Sequence, residues 1–559
     1  MKRKLRSNFE PGSPHWAGRR SQWKALGLTD EDMLKPKIAV VNSSSELSSC
    51  FSHLDGVAAK MKEAIRAAGA LAFEVRTAAP SDFITNAGHR GGYILPTRDL
   101  IANDIEVAVE GALLDGMVCL ASCDKTTPGQ IMAAGRLNIP SIVVLCGYQP
   151  SGTWRGEHVD IEEVFLKSSY VSTGQVTVQD LVGMSDNAVL GPGVCAGMGT
   201  ANSMHIVCEA LGMSLPGGAP VRANSPKMME FVRAAGTRIV QMVWDDLKPR
   251  DILTREAFAN ATMSVLALSG SINCVKHLQA IALEAGCDVD VYALFERYAD
   301  KVPLLAEVRP NGERLIEELE DAGGARAVMK RLEPLLMTGA RTVTGRTVAE
   351  ILRDVKVGDD EVIRPLDRPI STRPSIVIVR GSLAPQGGIV RLGGSGERKL
   401  KFSGPANIYH SREEGLQALK NGEIKAGQVL VLRGMGVKGG PGLAMSSAMV
   451  FALDGAGLIE DVAMITDGQL SGLVNRGLVV GEVSPEAAEG GPLALAENGD
   501  LITIDVQKRV VDLQVPESEL AARRVRVRQF GRTDERGWLS QYQRMVQPLP
   551  KGAVLLKEV

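Results

Sequence analysis

Strand-like and helix-like patterns of apolar residues alternate between residues 37 and 145. Apolar residues recur at helical spacing in the segments 54–69, 101–114 and 130–136. Between them lie four short apolar runs that have the length of buried strands: Lys37–Val41, Leu71–Val75, Gly116–Leu120 and Ser141–Leu145. Such alternation is typical of a parallel sheet with right-handed crossovers, so we predict an α/β domain here. Polar residues follow several of the runs, at the edge where open α/β sheets bind ligands.

The pattern changes twice farther along the chain. From about residue 208 to 355 it is mainly helical, and the stretch 357–374 carries charges and three prolines, so we place a domain boundary there. Beyond it, turn signals separate short runs rich in Val and Ile: Ser375–Arg380, Gln428–Leu432, Val462–Ile465, Leu501–Val506 and Arg509–Val515. The predicted organisation is an N-terminal arm at 1–36, an α/β domain at 37–365 with helical elaborations, and a smaller β-rich, barrel-like domain at 375–559.

Composition and charge narrow the class of protein. The 559 residues exceed one domain, and 45% hydrophobic and 23% charged residues are typical of a globular protein with a large core. Lys and Arg total 63 against 65 for Asp and Glu, so no positive excess favours nucleic-acid binding. No run of about 18 apolar residues is present, and no apolar segment follows the basic start, so we predict neither a membrane-spanning nor a secreted protein. We therefore expect a cytoplasmic location.

The cysteines give the first indication of chemistry. We do not expect a disulfide scaffold in a chain of this size without a signal peptide, and no CxxC pair is present. Four of the eight cysteines have apolar or helical contexts and are predicted to be small buried hydrophobic residues: Cys119, Cys146, Cys208 and Cys287. Cys50, Cys123 and Cys195 differ from these, since each is flanked by Ser, Asp, Gly or Pro.

The segment CDKTTPG at 123–129 directly follows a predicted strand. A thiol, a carboxylate and an amine follow one another there, and Pro128 fits the first turn of a helix. A thiolate suits a soft metal centre, whereas a carboxylate suits a hard cation such as Mg²⁺. Taken alone, the segment is more typical of an Asp–Lys surface pair beside a buried cysteine.

Further motifs occur with this one in a fixed order. They are NSSSELSSC at 42–50, GVCAGMGTAN at 193–202, SGSINCVKHL at 269–278, TVTG at 342–345, GSLAPQG at 381–387, KGGPG at 438–442, TDGQLSG at 466–472 and VSPEA at 483–487. Together with CDKTTPG they resemble the dihydroxy-acid dehydratase/phosphogluconate dehydratase family, in which the fourth segment is of the type SGSTNAVLHL. The resemblance covers about residues 37 to 515, and the CDK form differs from the phosphogluconate branch.

The resemblance implies two cofactors. Members with three such cysteines hold a [2Fe-2S] cluster on three thiolates, and Cys50, Cys123 and Cys195 match those positions. An iron with an open coordination site is a Lewis acid that can accept a departing hydroxide. Relatives also bind Mg²⁺ through carboxylates and a carbamylated lysine, and the residues at the matching positions of this chain are Asp82, Asp124 and Lys125. A carbamate converts the lysine cation into an anionic oxygen ligand. The alternative for Asp82 alone is a cap of a helix or turn after Pro80 and Ser81.

The resemblance also implies the reaction and its base. Members are hydro-lyases, and here a 2,3-dihydroxy carboxylic acid would lose water to give a 2-keto-3-deoxy acid. The serine of the TDGxxSG turn, Ser471 in this chain, is implied as the base that removes the C2 proton. Ser471 and the metal-binding Lys125 are therefore the catalytic residues that the resemblance implies. Without that context, a turn serine between two glycines would be the simpler interpretation. Relatives form dimers or tetramers, so we expect a homodimer or homotetramer.

The chain departs from the family's pattern near the implied site. Met445 stands where relatives carry a glutamate that completes the Mg²⁺ shell, and Gln469 and Leu473 also differ from the usual residues. We therefore expect a dehydratase for aldonates (sugar acids) or short-chain dihydroxy acids. The alternative is the branched-chain biosynthetic enzyme that acts on 2,3-dihydroxyisovalerate. A non-catalytic iron–sulfur redox sensor is a third interpretation, which Met445 favours and which the retention of Lys125 and Ser471 disfavours.

Overall fold

The computed structural model describes residues 4–394, 396–527, 530 and 536–555, apart from the side chains of residues 172 and 173. The outer ends of the predicted arm and of the last predicted domain, 1–3 and 556–559, lie outside the described residues. The strands are β1 (Lys37–Asn42), β2 (Leu71–Arg76), β3 (Gly116–Ala121), β4 (Ser141–Leu145), β5 (Gly152–Trp154), β6 (Glu157–Val159), β7 (Ile376–Val379), β8 (Gly387–Arg391), β9 (Lys401–Tyr409), β10 (Val429–Leu432), β11 (Ala463–Thr466), β12 (Val479–Ser484), β13 (Leu501–Asp505) and β14 (Val510–Leu513).

Helices connect and cover these strands. They are α1 (Pro14–Ala25), α2 (Leu54–Ala67), α3 (Asp82–Thr85), α4 (Ile94–Val109), α5 (Thr126–Leu137), α6 (Ile161–Ser168), α7 (Val178–Ala188), α8 (Thr200–Ala210), α9 (Pro226–Asp245), α10 (Arg255–Ala267), α11 (Asn273–Glu284), α12 (Val291–Tyr298), α13 (Ile316–Asp321), α14 (Gly324–Leu332), α15 (Val348–Leu352), α16 (Arg412–Lys420), α17 (Ser447–Gly455), α18 (Glu517–Arg526) and α19 (Gly537–Met545). Among the described residues, none of these helices combines the length and apolar character needed to cross a membrane.

The first sheet has four parallel strands in the order β2–β1–β3–β4. The order reverses after β2, so with right-handed crossovers α2 lies on one face and α4 and α5 lie on the other. The predicted α/β architecture is confirmed. Two helix predictions were shifted: α4 begins at Ile94 and ends at Val109 instead of spanning 101–114, and α5 begins at Thr126, four residues before the predicted start.

The second sheet has eight strands in the order β14–β13–β9–β10–β11–β12–β8–β7. Its central pairs from β9 to β12 are parallel, and the outer pairs are antiparallel. The two edge strands approach each other, because Arg380 N donates to Arg509 O at 2.9 Å and Val511 N donates to Arg380 O at 2.8 Å. The sheet is therefore nearly closed, which confirms the barrel-like prediction.

Alternating side chains of the second sheet pack into two different hydrophobic cores. In β7, Val377 and Val379 belong to a core inside the nearly closed sheet. Ile376 and Ile378 point to the opposite face and join a larger core, in agreement with the two-residue period of a strand. That larger core, which we call the shared core, contains buried residues from both sheets and from the helices between them. The two sheets are thus packed around common apolar residues.

Candidate active site

Four loops meet at the carboxyl edge of the first sheet. Cys50 lies in the loop after β1, Asp82 begins α3 after β2, and Cys123 follows β3. Cys195 lies before α8, but its loop is tied to the segment that follows β4, where Gln149 N donates to Val194 O at 2.7 Å. Parallel strands bring their carboxyl ends to one edge, so residues far apart in the sequence become neighbours.

Hydrogen bonds fix the three cysteine loops against one another. Ser122 Oγ donates to Cys50 O at 2.5 Å, and Gly193 N donates to Ser49 O at 3.2 Å. Asn202 Nδ2 donates at 2.8 Å to both Cys195 O and Gly197 O, which holds the third loop at the start of α8. The loops are therefore tied to each other as well as to their own strands.

The three thiols are buried, and all eight cysteines of the chain, which lie in the described part, are free. A hydrogen bond from the Cys123 thiol is the largest effect on Cys50 and lowers its pKa to about 7. Burial, followed by the charge of Cys50, raises the pKa of Cys195 well above its usual range. Thiolates are the form that binds soft metals, so a cluster of three thiols with one titrating near neutrality is a suitable donor set for iron.

The other cysteines have a different environment. Cys119, Cys146 and Cys208 are fully buried, as predicted, whereas Cys287 is only partly buried. Burial raises the pKa of Cys119 to about 12, and it likewise raises that of Cys146. These thiols remain protonated at neutral pH and behave as apolar side chains.

Lys125 lies between two carboxylates beside the thiols. Its Nζ is 3.5 Å from Asp124 Oδ2 and 3.8 Å from Asp82 Oδ2, and its side chain is fully buried. Burial lowers the pKa of Lys125, but the charges of Asp82 and Asp124 outweigh this effect and raise it above the usual value. Asp82 and Asp124 keep 21% and 12% of their side chains exposed, so the carboxylates form the open side of this group.

The carboxylates fit a hard cation. Asp82 Oδ1 is buried and accepts no hydrogen bond within the described part of the chain. Ligand atoms of Asp82, Cys123 and Asp124 lie within 4.8 Å of one another. Burial and the charge of Asp124 raise the pKa of Asp82 well above its usual range. An unpaired, buried carboxylate oxygen beside a second carboxylate is a site where Mg²⁺ would relieve both repulsion and desolvation.

Ser471 comes from the second half of the chain, in the turn 467–472 that follows β11. Asp467 holds this turn, because its carboxylate accepts from Met435 N and Ala487 N at 2.9 Å each. Ser471 N donates to Ser447 Oγ at 2.6 Å, and Ser471 Oγ accepts from Leu473 N at 3.1 Å. The hydroxyl is therefore held by the backbone of its own turn, and the side chain stays partly exposed.

Gly472 brings the serine turn against the loop of Cys195. A side-chain carbon at Gly472 would lie 2.9 Å from Ser271 Oγ and 3.1 Å from Thr200 N, so only glycine permits this approach. Thr200 begins α8, five residues after Cys195. Arg391 donates to Gly472 O and to Ser269 O, which fastens the turn to the first half of the chain. The candidate base and the thiols thus belong to adjoining loops.

Met445 packs against the segment that follows Asp82. Its backbone N donates to Arg90 O at 3.2 Å, and a side-chain carbon at Gly91 would lie 2.8 Å from Met445 Cγ. Gln469 Nε2, in the serine turn, is 3.2 Å from Met445 Sδ. Met445 therefore links the serine turn to residues 90 and 91, and its thioether offers no oxygen ligand.

Sequence reasoning missed three charged residues around this site. Glu162 is buried against Gly197 and Gly199, and burial followed by the charges of Asp160 and Asp124 raises its pKa well above its usual range. Lys276 and Glu482 are fully buried and form an ion pair. One signal for Lys276 was available, since a lysine stands within the apolar helical pattern of 274–285.

Comparisons with known proteins identify the family of the chain. The model of the dihydroxy-acid/6-phosphogluconate dehydratase N-terminal domain matches residues 35–351, and that of the C-terminal domain matches residues 361–553. The dihydroxy-acid dehydratase of Caldicellulosiruptor saccharolyticus is 42% identical over 554 residues, which cover 99% of this chain and 100% of that protein. The proteins of the same name from Pyrococcus abyssi and Ignicoccus hospitalis are 42% and 40% identical, over 97% of this chain and 97% and 98% of their own lengths.

Together, the fold, the site and these matches define an enzyme of the hydro-lyase class. The chain belongs to the dihydroxy-acid/6-phosphogluconate dehydratase family, and the resemblance seen in its sequence is confirmed. The family uses an iron–sulfur cluster and Mg²⁺ and acts on small hydroxy acids.

Proposed function

We propose that this protein dehydrates a 2,3-dihydroxy carboxylic acid to a 2-keto-3-deoxy acid. The observation that carries the proposal is the meeting of three buried free thiols, a carboxylate pair around Lys125 and the Ser471 turn at one edge of the first sheet. Cys50, Cys123 and Cys195 would hold a [2Fe-2S] cluster, since three thiolates suit such a cluster and leave one iron position open. Asp82, Asp124 and a carbamylated Lys125 would hold Mg²⁺.

Each group at the site has a separate role in the reaction. When bound, the cluster and Mg²⁺ supply Lewis acidity for the departing C3 hydroxide and for the charge on the substrate carboxylate and enolate. Ser471 Oγ acts as an alkoxide, which becomes a hydroxyl when it takes the C2 proton, and the hydrogen bond from Leu473 N stabilises the negative charge on the alkoxide oxygen. Lys125 lies buried between Asp82 and Asp124, so its carbamate would join their carboxylates as an oxygen ligand of Mg²⁺ on the open side. Loss of the C3 hydroxide then gives an enol that tautomerises to the keto acid.

Two classes of substrate are candidates for this enzyme. The relatives are named dihydroxy-acid dehydratases, which favours a short-chain dihydroxy acid such as 2,3-dihydroxyisovalerate as the first candidate. A sugar acid is the second, and the buried carboxyl of Glu162 favours it, because a sugar acid carries further hydroxyls that a polar group here could bind. Burial raises the pKa of Glu162 well above its usual range. Glu162 lies against the glycine loop that follows Cys195, next to the proposed cluster.

An anaerobic assay tests the function. The cluster-loaded protein is expected to form keto acid from dihydroxyisovalerate or from members of an aldonate panel, and the ratio of kcat/KM values identifies the substrate. Cluster-loaded protein that dehydrates none of these acids would overturn the proposal and favour the redox sensor. The expected homodimer or homotetramer and the cytoplasmic location remain predictions, of which light scattering checks the first.

Restoring a carboxylate at position 445 tests the metal site. The substitution Met445→Glu is expected to tighten Mg²⁺ binding by about tenfold, because each carboxylate ligand added to a hard cation raises affinity. The thermal midpoint, followed as Mg²⁺ is titrated, should rise at lower metal concentration than in the wild type. The neutral isostere Met445→Gln serves as the control. If both substitutions shift the metal dependence equally, or if neither shifts it, Mg²⁺ does not bind at residue 445.

A further inference from the structure

A buried ion pair joins the two halves of the chain beneath the serine turn. Lys276, on α11, and Glu482, on β12, have fully buried side chains, and Lys276 Nζ lies 2.5 Å from Glu482 Oε1. The same ammonium also donates to Asn273 Oδ1, one turn earlier on α11. The pair therefore connects a helix that packs near the first sheet with a strand of the second.

Both ends of this network reach the turn that carries Ser471. A lysine ammonium can only donate, so its bond to Asn273 Oδ1 fixes the orientation of that amide. Asn273 Nδ2 must then face Thr200 Oγ1 at 2.9 Å and Leu470 O at 3.4 Å. On the other side, Glu482 N donates to Gly468 O at 3.3 Å. Gly468 and Leu470 both precede Ser471 in the turn, which is thus held at two points.

Stability alone does not account for these charges. Removing two charges from water is unfavourable, and an apolar pair of similar volume is often as stable or more stable. Glu482 Oε2 is buried and accepts no hydrogen bond within the described residues, which adds to the cost. The backbone of Glu482 has φ 54°, an uncommon conformation for a residue other than glycine.

We propose that Lys276 and Glu482 are positioning residues that hold the Ser471 turn against α8. The ammonium sets the Asn273 amide, the amide holds Leu470, and the backbone of Glu482 holds Gly468, so that Ser471 is presented to the loop of Cys195. This inference rests on the proposed function only for the role of Ser471 as the base. The fixing of the turn is a separate property and can be measured without substrate.

The test separates positioning from folding. The single variant Lys276→Met leaves the Glu482 carboxylate buried without its cation, so it is expected to lower the thermal midpoint. The double variant Lys276→Met/Glu482→Gln removes both charges and should regain most of that midpoint. The matched control is Arg136→Met/Glu284→Gln, which neutralises an ion pair between α5 and α11, with Arg136 Nη2 2.7 Å from Glu284 Oε1, that does not touch the turn.

Two readouts are compared in the folded variants. For the double variant we expect kcat to fall by about 10- to 100-fold, because a misplacement on the order of 1 Å affects the chemical step, with KM changed less than about threefold. Amide hydrogen exchange in a peptide covering 466–473 should become about tenfold faster. The control should alter neither. If the double variant retains wild-type kcat and exchange, or if the control shows the same losses, the inference is wrong. Faster exchange in a protein whose wild type dehydrates no acid would support the positioning while refuting the proposed function.

Discussion

Replacing Ser471 with alanine is expected to lower kcat by about 10³-fold while the cluster stays intact, because the C2 proton then has no base. The hydroxyl accepts a hydrogen bond from Leu473 N at 3.1 Å and lies in a turn that Asp467 and Ser447 hold by other contacts. Removal of the oxygen should therefore leave the turn in place. Steady-state rates and the visible absorption of the anaerobic protein measure the two properties separately.

Ser264→Ala is the control for this variant. Ser264 is a buried serine of α10 whose hydroxyl donates to Asn260 O at 2.9 Å within the helix. Its loss should leave kcat within about twofold, since it removes only a local hydrogen bond. A Ser471→Ala protein that keeps more than a tenth of the wild-type kcat with an intact cluster would show that another group removes the proton.

Cys123→Ala is expected to abolish both the cluster and the activity. Two remaining thiolates cannot hold an iron–sulfur cluster that needs three protein ligands, so iron should fall from about two atoms per chain toward zero. Dehydration should fall below detection, because no Lewis acid then meets the departing hydroxide. Iron and sulfide analysis, with visible absorption, are the measurements.

Cys119→Ala is the matched control, since Cys119 lies four residues earlier in β3 and is also fully buried. Burial raises its pKa to about 12, so it provides no thiolate near neutrality. Iron content and activity should remain near wild type in this variant. A Cys123→Ala protein that retains a full complement of iron, or a Cys119→Ala protein that loses it, would contradict the proposed ligand set.

Much of the fold could be predicted because local pattern and tertiary environment agree. The predicted strand Lys37–Val41 contains the apolar run 38–41 because both faces of the parallel sheet are covered, and the observed strand extends only one residue farther. Three strands of the second sheet were missed: β8 (Gly387–Arg391), β9 (Lys401–Tyr409) and β12 (Val479–Ser484). Each contains glycine, and β9 also contains Pro405, which are turn signals in isolation. Pairing with neighbouring strands overrides these local preferences.

The candidate site was predictable in part for similar reasons. Cys123 and Asp82 follow strands, so the edge rule brings them together once the sheet is known. Ser471 could be placed near them only through the family resemblance, because it belongs to the other half of the chain. The Lys276–Glu482 pair joins residues 206 positions apart, and neither residue indicates its partner locally. Only the folded chain shows that these charges meet beneath the turn.

The shared core limits how the polypeptide can be divided. Ile376 and Ile378 of β7 and Leu430 of β10 are buried in the same core as residues of the first half of the chain. Each half produced alone would therefore expose a broad apolar surface to water. Such fragments are expected to aggregate when expressed separately. Co-expression of fragments cut within 357–374 would instead let them fold on each other as a heterodimer.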